Sequence, residues 1–315
     1  MAPVIEIRNL KKYFSTPRGM LHAVDDVTFT IEKGKTLGVV GESGCGKSTL
    51  GRTIIHLHES TSGEIFLDGR DITKLKGKAL KDVREEMQII FQDPYSSLDP
   101  RKTIEKTIRE PLMISGRHKR DEIDAKVEEI MDLVGIDARL RQAYPHELDG
   151  GRRQRVGIAR ALALEPKFVV CDEPVSALDV SIQAQVLTLL KKLQQDRGLT
   201  YMFVTHDMSV VRHISDDICV MYLGQMVEKC PAKELFRNPM HPYTKALLSA
   251  IPSVDIHNPN KREILHGEIT SPINPPPGCR FAARCPHATD ACHQPQKQEE
   301  IFAGHFVTCC RVHEL

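Results

Sequence analysis

Nine consecutive residues, Gly41-Glu42-Ser43-Gly44-Cys45-Gly46-Lys47-Ser48-Thr49, carry the plainest chemistry in the chain. They fit the phosphate-binding pattern of a glycine, four residues, then Gly-Lys-Ser. The apolar run Lys35–Val40 before them reads as a buried strand, and Thr49–Leu57 after them as a helix. Such a strand, loop and helix aim backbone N–H groups and the positive end of a helix dipole at one point, where an anion can sit. Lys47 is expected to reach the terminal phosphates of a nucleoside triphosphate, and the Ser48 hydroxyl to ligate Mg²⁺. A second carboxylate is needed to hold the metal through water, and Asp172, ending the apolar run Phe168–Cys171, is placed for it. Glu173 beside it can orient and deprotonate the attacking water. His206, after the strand Thr200–Thr205, can contact the γ-phosphate, and Gln92 ends another strand, Met87–Phe91. Taken singly, an acidic pair after a strand is most often a solvated turn and a lone histidine is most often structural. A phosphate loop in the same chain reverses both readings.

These residues need elements to position them. Val4–Ile7, Ala23-Val24 and Val27–Ile31 read as antiparallel strands, with Tyr13 and Phe14 between two of them; either ring could stack on a base or sit in the core. Ser62–Gly69 reads as a strand ending in an Asp-Gly turn. Asp93–Pro100 is loop by composition. From Thr103 the pattern is helical: Ile123, Val127, Ile130, Met131 and Val134 keep one apolar face, and Gly135 stops that helix. Further helices are expected over Arg152–Leu164 and Ile182–Leu193, and a hairpin around Gly224. Strands alternating with helices imply a mainly parallel sheet covered on both faces. The expected α/β fold therefore has a mainly parallel core sheet, an antiparallel β subdomain and a helical subdomain at about 93–165. Residues 1–250 would form that domain. Residues 251–315, rich in proline from Pro252, would form a small cysteine-rich extension.

The chain has 315 residues, 41% hydrophobic and 27% charged, with a net charge of +1. That balance suits a globular core and gives no bulk electrostatic case for a nucleic-acid partner. Met1–Leu10 lacks the apolar core of a signal peptide, so an intracellular protein is expected. Nine cysteines in a reducing compartment argue against structural disulfides. Five of them, Cys279, Cys285, Cys292, Cys309 and Cys310, crowd into the tail, a clustering that suggests a metal site.

Over roughly residues 4–250 the chain resembles the ATP-binding subunits of ABC transporters. Gly41–Ser48 matches their phosphate loop, Gln92 the Q-loop, and Leu148-Asp149-Gly150-Gly151-Arg152 the signature segment. Asp172 and Glu173 match the Walker B pair, Ser176–Asp179 the D-loop, and His206 the switch histidine. The resemblance implies that ATP and Mg²⁺ are the cofactors and that Gln92 joins Ser48 and Asp172 around the metal. It also implies that two ATPase subunits face head to tail, with each ATP between one phosphate loop and the opposite signature. Phe14 then takes the position of the adenine-stacking aromatic, with Tyr13 as second choice. Two integral membrane permease subunits would contact the loop after Gln92 and the helical insertion, at the cytoplasmic face of the inner membrane. An extracytoplasmic binding protein would deliver the cargo.

A narrower resemblance lies in Asn238-Pro239-Met240-His241-Pro242-Tyr243-Thr244, Leu247–Ala250 and Asn274–Cys279, which look like the peptide importer branch. That branch handles dipeptides, oligopeptides and sometimes nickel; a nickel or metal-chelate importer is the first alternative reading, and a soluble non-transport ABC ATPase the second. It carries a C-terminal 4Fe–4S cluster, for which Cys279, Cys285, Cys292 and Cys309 match, with Cys310 as the alternative fourth ligand. The absence of any Cys-x₂-Cys pair also disfavours structural zinc. A structural staple is preferred to electron transfer.

One position departs from the family. The usual signature is Leu-Ser-Gly-Gly-Gln, whose serine donates to the γ-phosphate held by the opposite subunit. Asp149 cannot donate when ionised, and at about 4 Å and an effective dielectric near 20 each like charge costs roughly 4 kcal/mol. An Asp is also a good helix N-cap, worth ~1 kcal/mol, and Arg152 or Arg153 could neutralise it. The Coulomb term is the larger, so a functionally asymmetric heterodimer is expected.

Overall fold

The computed structural model describes residues 3–251, 265, 267 and 270–314, so the expected start of the proline-rich stretch at Pro252 lies outside the described residues. In chain order the elements begin with strands β1 (Pro3–Thr16), β2 (Gly19–Glu32) and β3 (Thr36–Val40), then helix α1 (Lys47–Ile54) and the hairpin β4 (Ser62–Leu67) and β5 (Arg70–Asp71). Next come α2 (Gly77–Glu86), β6 (Met87–Ile90), α3 (Pro94–Ser97), α4 (Ile104–Ser115), α5 (Arg120–Val134) and α6 (Gly150–Leu162). They are followed by β7 (Phe168–Asp172), α7 (Val180–Arg197), β8 (Thr200–Val204), α8 (Met208–Ile214), β9 (Asp217–Tyr222) and β10 (Gln225–Pro231). The chain closes with α9 (Ala232–Arg237), α10 (Pro242–Ser249), β11 (Glu299–Phe302) and β12 (His305–Val307).

Two compact units emerge. One is made chiefly of residues 74–202, the other of residues 5–31, 36–73 and 203–315. The first holds the helices α2 to α7 and a parallel pair, β6 and β7, in register from Met87 opposite Phe168. Every residue of β7 is buried, as a strand covered on both faces requires. The apolar face expected on α5 is the buried one, and Gly135, at φ 70°, ends the helix in a left-handed cap. Where loop was expected, α3 forms a single helical turn, because the Asp93 side chain accepts from the Tyr95 N–H at 2.8 Å. Among the described residues no helix is long and apolar enough to cross a membrane.

The second unit contains an antiparallel sheet, order β2-β1-β4-β5, and a mixed one that includes β11-β12-β10-β9-β3. Asp68 and Gly69, at φ 48° and 75°, make the expected tight turn between β4 and β5. Ala23-Val24 and Val27–Ile31, expected as separate strands, lie in one strand that Asp26 interrupts only locally at φ 59°. The tail is not irregular throughout. Its β12 pairs antiparallel with β10, Lys229 opposite Phe306, and β11 pairs with β12. Strands of three and four residues are too short to show a period, so the sequence hides them.

Glu105, in the first turn of α4, accepts from Arg141 at 3.0 Å, Arg109 at 2.8 Å and Gln142 at 2.6 Å. The Arg141 hydrogen bond above all lowers its pKa to about 2. A depressed carboxylate pKa stabilises the fold above the unfolded value, and that stability is lost as pH falls through the folded one. Glu105→Gln should therefore cost about 1–2 kcal/mol at neutral pH in urea unfolding, and the difference from wild type should close as pH is lowered toward about 2.

Candidate nucleotide site and cysteine-lined hollow

In the second unit the phosphate loop runs from the fully buried β3 into α1. Gly41, Gly44 and Gly46 have φ of 152°, 77° and 102°. A Cβ on Gly46 would lie 1.9 Å from the Ala23 carbonyl, and one on Gly41 2.2 Å from that of Met221. Only glycine lets the loop sit so close to β2 and β9. Ser43 and Gly44 form the exposed tip, Cys45 is buried, and Ser48 and Thr49 are half-buried at the helix start. The Lys47 ammonium is buried and donates to the carbonyls of Gly41, at 2.8 Å, and Glu42, at 3.0 Å. Its charge is therefore folded against the loop. In the same unit His206 is exposed between β8 and α8, while Asp207 beside it caps α8 by accepting from Ser209 N at 2.7 Å.

Tyr13 and Phe14 have different surroundings. The Tyr13 ring stacks on His22 with centroids 3.9 Å apart, and its hydroxyl donates to Asp25. Phe14 makes a T-shaped contact with His58, centroids 5.5 Å apart, has the Lys12 ammonium over its ring at 4.6 Å, and is half-buried.

The first unit brings Gln92 and Glu173 together: the Gln92 amide donates to the Glu173 carboxylate at 3.0 Å. Asp172 is fully buried at the end of β7. Glu173 adopts φ 47°, a left-handed conformation that a non-glycine residue takes at a cost. The Ser176 N–H and hydroxyl both donate to its carbonyl, at 3.3 and 3.1 Å, and hold it there. In the signature segment Asp149 is the N-cap of α6. One carboxylate oxygen accepts from Arg152 N at 2.8 Å, and the other lies 3.5 Å from the Arg152 guanidinium. A Cβ on Gly150 would lie 3.2 Å from Leu178, in the loop before α7, and one on Gly151 2.7 Å from Ile182 in the first turn of α7.

Cys279, Cys285, Cys292, Cys309 and Cys310 all line one hollow in the second unit, with His241, Phe281, His287 and Arg311. The Cys292 and Cys310 sulfurs are 3.8 Å apart. Cys292 is the one that burial fails to raise: the Thr289 N–H and hydroxyl and the Cys310 thiol hold it below the ordinary thiol value. Burial pushes Cys279 up to about 12 and raises Cys285, Cys309 and Cys310. Among the described residues, the one set of three ligand-type groups with donor atoms all within 4.8 Å is Glu228, Cys230 and His305. No three tail thiols are that close, whereas a single tetrahedral zinc with bonds of about 2.3 Å would draw four sulfurs to roughly 3.8 Å of one another. As they stand, the tail thiols are too far apart to close on one tetrahedral ion.

Two further residues hold the loop without any motif in the sequence to mark them. Tyr243 on α10 accepts the Glu42 N–H at 2.9 Å, and Arg284 pairs with the Glu42 carboxylate at 2.8 Å. Tyr243 lies in Asn238–Thr244, which resembles the peptide importer branch, and Arg284 is one residue from Cys285. No local pattern links either to residue 42.

Residues 24–176 match the ABC transporter family, and residues 227–292 match the oligopeptide/dipeptide transporter C-terminal region. The chain is 50% identical to the oligopeptide transport ATP-binding protein AppF of Bacillus subtilis (strain 168), covering 97% of this chain and 96% of that one. It is 46% identical to the dipeptide transport ATP-binding protein DppF of Escherichia coli (strain K12), covering 98% and 95%. Among solved structures, cbiO1 from Clostridium perfringens, part of the ABC transporter complex cbiONQ, is similar at a TM-score of 0.68 and 28% identity, covering 76% of this chain and 92% of that one. The ATP-binding cassette MJ0796, a dimer in a post-hydrolysis state bound to ADP and Pi, has a TM-score of 0.66 at 29% identity, covering 72% and 98%.

The glycine geometry yields a contrast. Gly44→Ala meets nothing within 4 Å and pays only for its φ of 77°, so a loss of about 1 kcal/mol is expected. Gly46→Ala adds a collision with backbone and should cost about 3 kcal/mol or more, with loss of nucleotide binding. Denaturant unfolding of the two variants checks the ranking; equal losses would contradict it.

Proposed function

Because this chain belongs to the ATP-binding subunits of ABC transporters, in the branch of oligopeptide and dipeptide importers, we propose that it powers peptide uptake across the cytoplasmic membrane. It is a transport-coupled ATPase that works with membrane permease subunits and a substrate-binding protein. The observation that carries the reading is the phosphate loop, held by close backbone contact at Gly41 and Gly46 in a chain matched over nearly its full length.

In this reading Lys47 leaves the carbonyls of Gly41 and Glu42 to take the β- and γ-phosphates, with N–H groups of Gly44 to Thr49 around them. Ser48, Gln92 and Asp172 hold Mg²⁺. Glu173, steadied by Gln92, removes a proton from the attacking water, and His206 contacts the γ-phosphate. Adenine stacks on Phe14, since Tyr13 is already stacked on His22 and bonded to Asp25. Exposed Tyr95, Met113, Ile114 and Tyr144 offer apolar surface for the permease subunits, which sets the chain at the cytoplasmic face of the membrane.

The ATPase partner is a second, different subunit. Asp149 spends one oxygen as a helix cap and has no proton to donate to a γ-phosphate, so the site that borrows this chain's signature is the slower one. Cys279, Cys285, Cys292 and Cys309 hold a 4Fe–4S cluster, with Cys310 beside Cys292 as the spare thiol. When bound, that cluster supplies iron–thiolate bonds that staple the tail.

Three measurements follow. Lys47→Ala should abolish ATP binding, whereas Glu173→Gln should bind ATP and remain closed; normal hydrolysis by Glu173→Gln would remove the general base assignment. Anaerobically purified protein should be brown, with about four irons per chain, and Cys292→Ser should lose the colour. Zinc without iron would overturn the cluster. Replacing the catalytic glutamate in each ATPase subunit separately should cost more activity in this chain than in its partner; equal losses would contradict the asymmetry.

A further inference from the structure

Glu42, the second residue of the phosphate loop, is gripped from three sides. Its carboxylate accepts from Arg284 Nη1 at 2.8 and 3.1 Å. Its N–H donates to the Tyr243 hydroxyl at 2.9 Å, and its carbonyl accepts from Lys47 at 3.0 Å. The Arg284 side chain is 9% exposed and that of Glu42 26%, so water and salt screen the pair weakly. Arg284 also donates to the Tyr222 hydroxyl at 3.3 Å. Phe281 packs edge-on against Tyr222 at 5.3 Å and tilted against Tyr243 at 5.4 Å, which fixes the rings that carry both hydroxyls.

The second grip is at Cys45. Its carbonyl accepts from Gly224 N at 2.8 Å, and the neighbouring Leu223 carbonyl accepts from Arg280, which also pairs with Asp25. Arg280 and Arg284 belong to one seven-residue segment, Cys279–Cys285. Its end cysteines line the hollow, while its two guanidinium groups reach the phosphate loop and the turn that supports it. The segment has two working faces. A bare carboxylate at Glu42 would repel an arriving triphosphate, and Arg284 cancels that charge while fixing the first turn of the loop.

We infer that Arg284 is a positioning residue of the nucleotide site: through Glu42 it sets the charge and shape of the phosphate loop and reports to it the state of the cysteine-lined extension. The inference rests on Gly41–Thr49 being the phosphate site of ATP.

The test uses the full chain, steady-state hydrolysis and binding of a fluorescent ATP analogue. Arg284→Ala should raise the KM for ATP about tenfold and weaken the analogue by a similar factor, with kcat changed less than about twofold. Glu42→Gln placed on Arg284→Ala should recover most of the lost affinity, because the unpaired carboxylate is gone. That rescue separates positioning from a general loss of packing, which a second substitution would not repair. Arg284→Lys, which keeps the charge without the guanidinium Nη1 that reaches both Glu42 and the Tyr222 hydroxyl, should fall between wild type and Arg284→Ala, and it serves if the alanine variant does not fold. Cys292→Ser should raise KM in the wild-type background and add nothing on Arg284→Ala. Wild-type KM in Arg284→Ala and Arg284→Lys, no rescue by Glu42→Gln, or an unchanged KM in Cys292→Ser would each overturn the inference. If wild type itself bound no ATP analogue, the reading of the loop would fail instead.

Discussion

The nucleotide-binding unit depends on backbone meeting backbone with no side chain between. Gly46 lies against the Ala23 carbonyl of β2, and Gly41 against the Met221 carbonyl of β9. A methyl group at either point would force the strands apart. The loop's curl is therefore set by two strands distant in sequence, and the Leu223-Gly224 turn after β9 completes its floor through the bond from Gly224 N to the Cys45 carbonyl. Close packing of this kind holds the N–H groups in place before any anion arrives, so little reorganisation is left for binding. The ammonium of Lys47 is stored on the same loop's carbonyls.

The tail is built into this unit. Glu228 on β10 is fully buried and accepts from the N–H groups of Met240 and His241 at 2.8 and 2.9 Å and from the His305 ring at 2.8 Å. Burial opposes its charge, yet His305, Thr244 and those N–H groups keep its carboxyl below the ordinary range. One carboxylate thus ties β10, the start of α10 and β12 together. His241 accepts from Tyr243 N at 3.1 Å to cap α10, and Tyr243 holds Glu42. The segment Asn238–Thr244, whose types suggested only a branch of a family, is the strut between the buried carboxylate and the phosphate loop. Removing one partner of such a buried group leaves the other uncompensated, commonly at about 3 kcal/mol or more.

What was legible in the sequence follows from the range of the interactions. The phosphate loop, the apolar face of α5 and the Asp68-Gly69 turn depend on neighbours within a few residues, and their spacing announces them. The single turn α3 rests on one Asp93 side chain, and β11 and β12 are too short for alternation, so neither was visible. Arg284 with Glu42, and Glu228 with His305, join residues 242 and 77 positions apart. Partners at that separation leave no local pattern, however much the site relies on them. Asp149 stands between the two cases. Its cap is readable from Asp149 and Arg152, but the effect proposed for it on a nucleotide involves a second subunit, which no pattern in this chain describes.

The most direct measurement of the whole account is peptide uptake into proteoliposomes that hold the permease subunits, the second ATPase subunit and this chain, with the peptide-loaded binding protein outside. The account predicts uptake that requires this chain and internal ATP, stops with ADP, and is accompanied by faster hydrolysis when the loaded binding protein is added. Uptake at the same rate without this chain, or hydrolysis indifferent to the loaded binding protein, would contradict it.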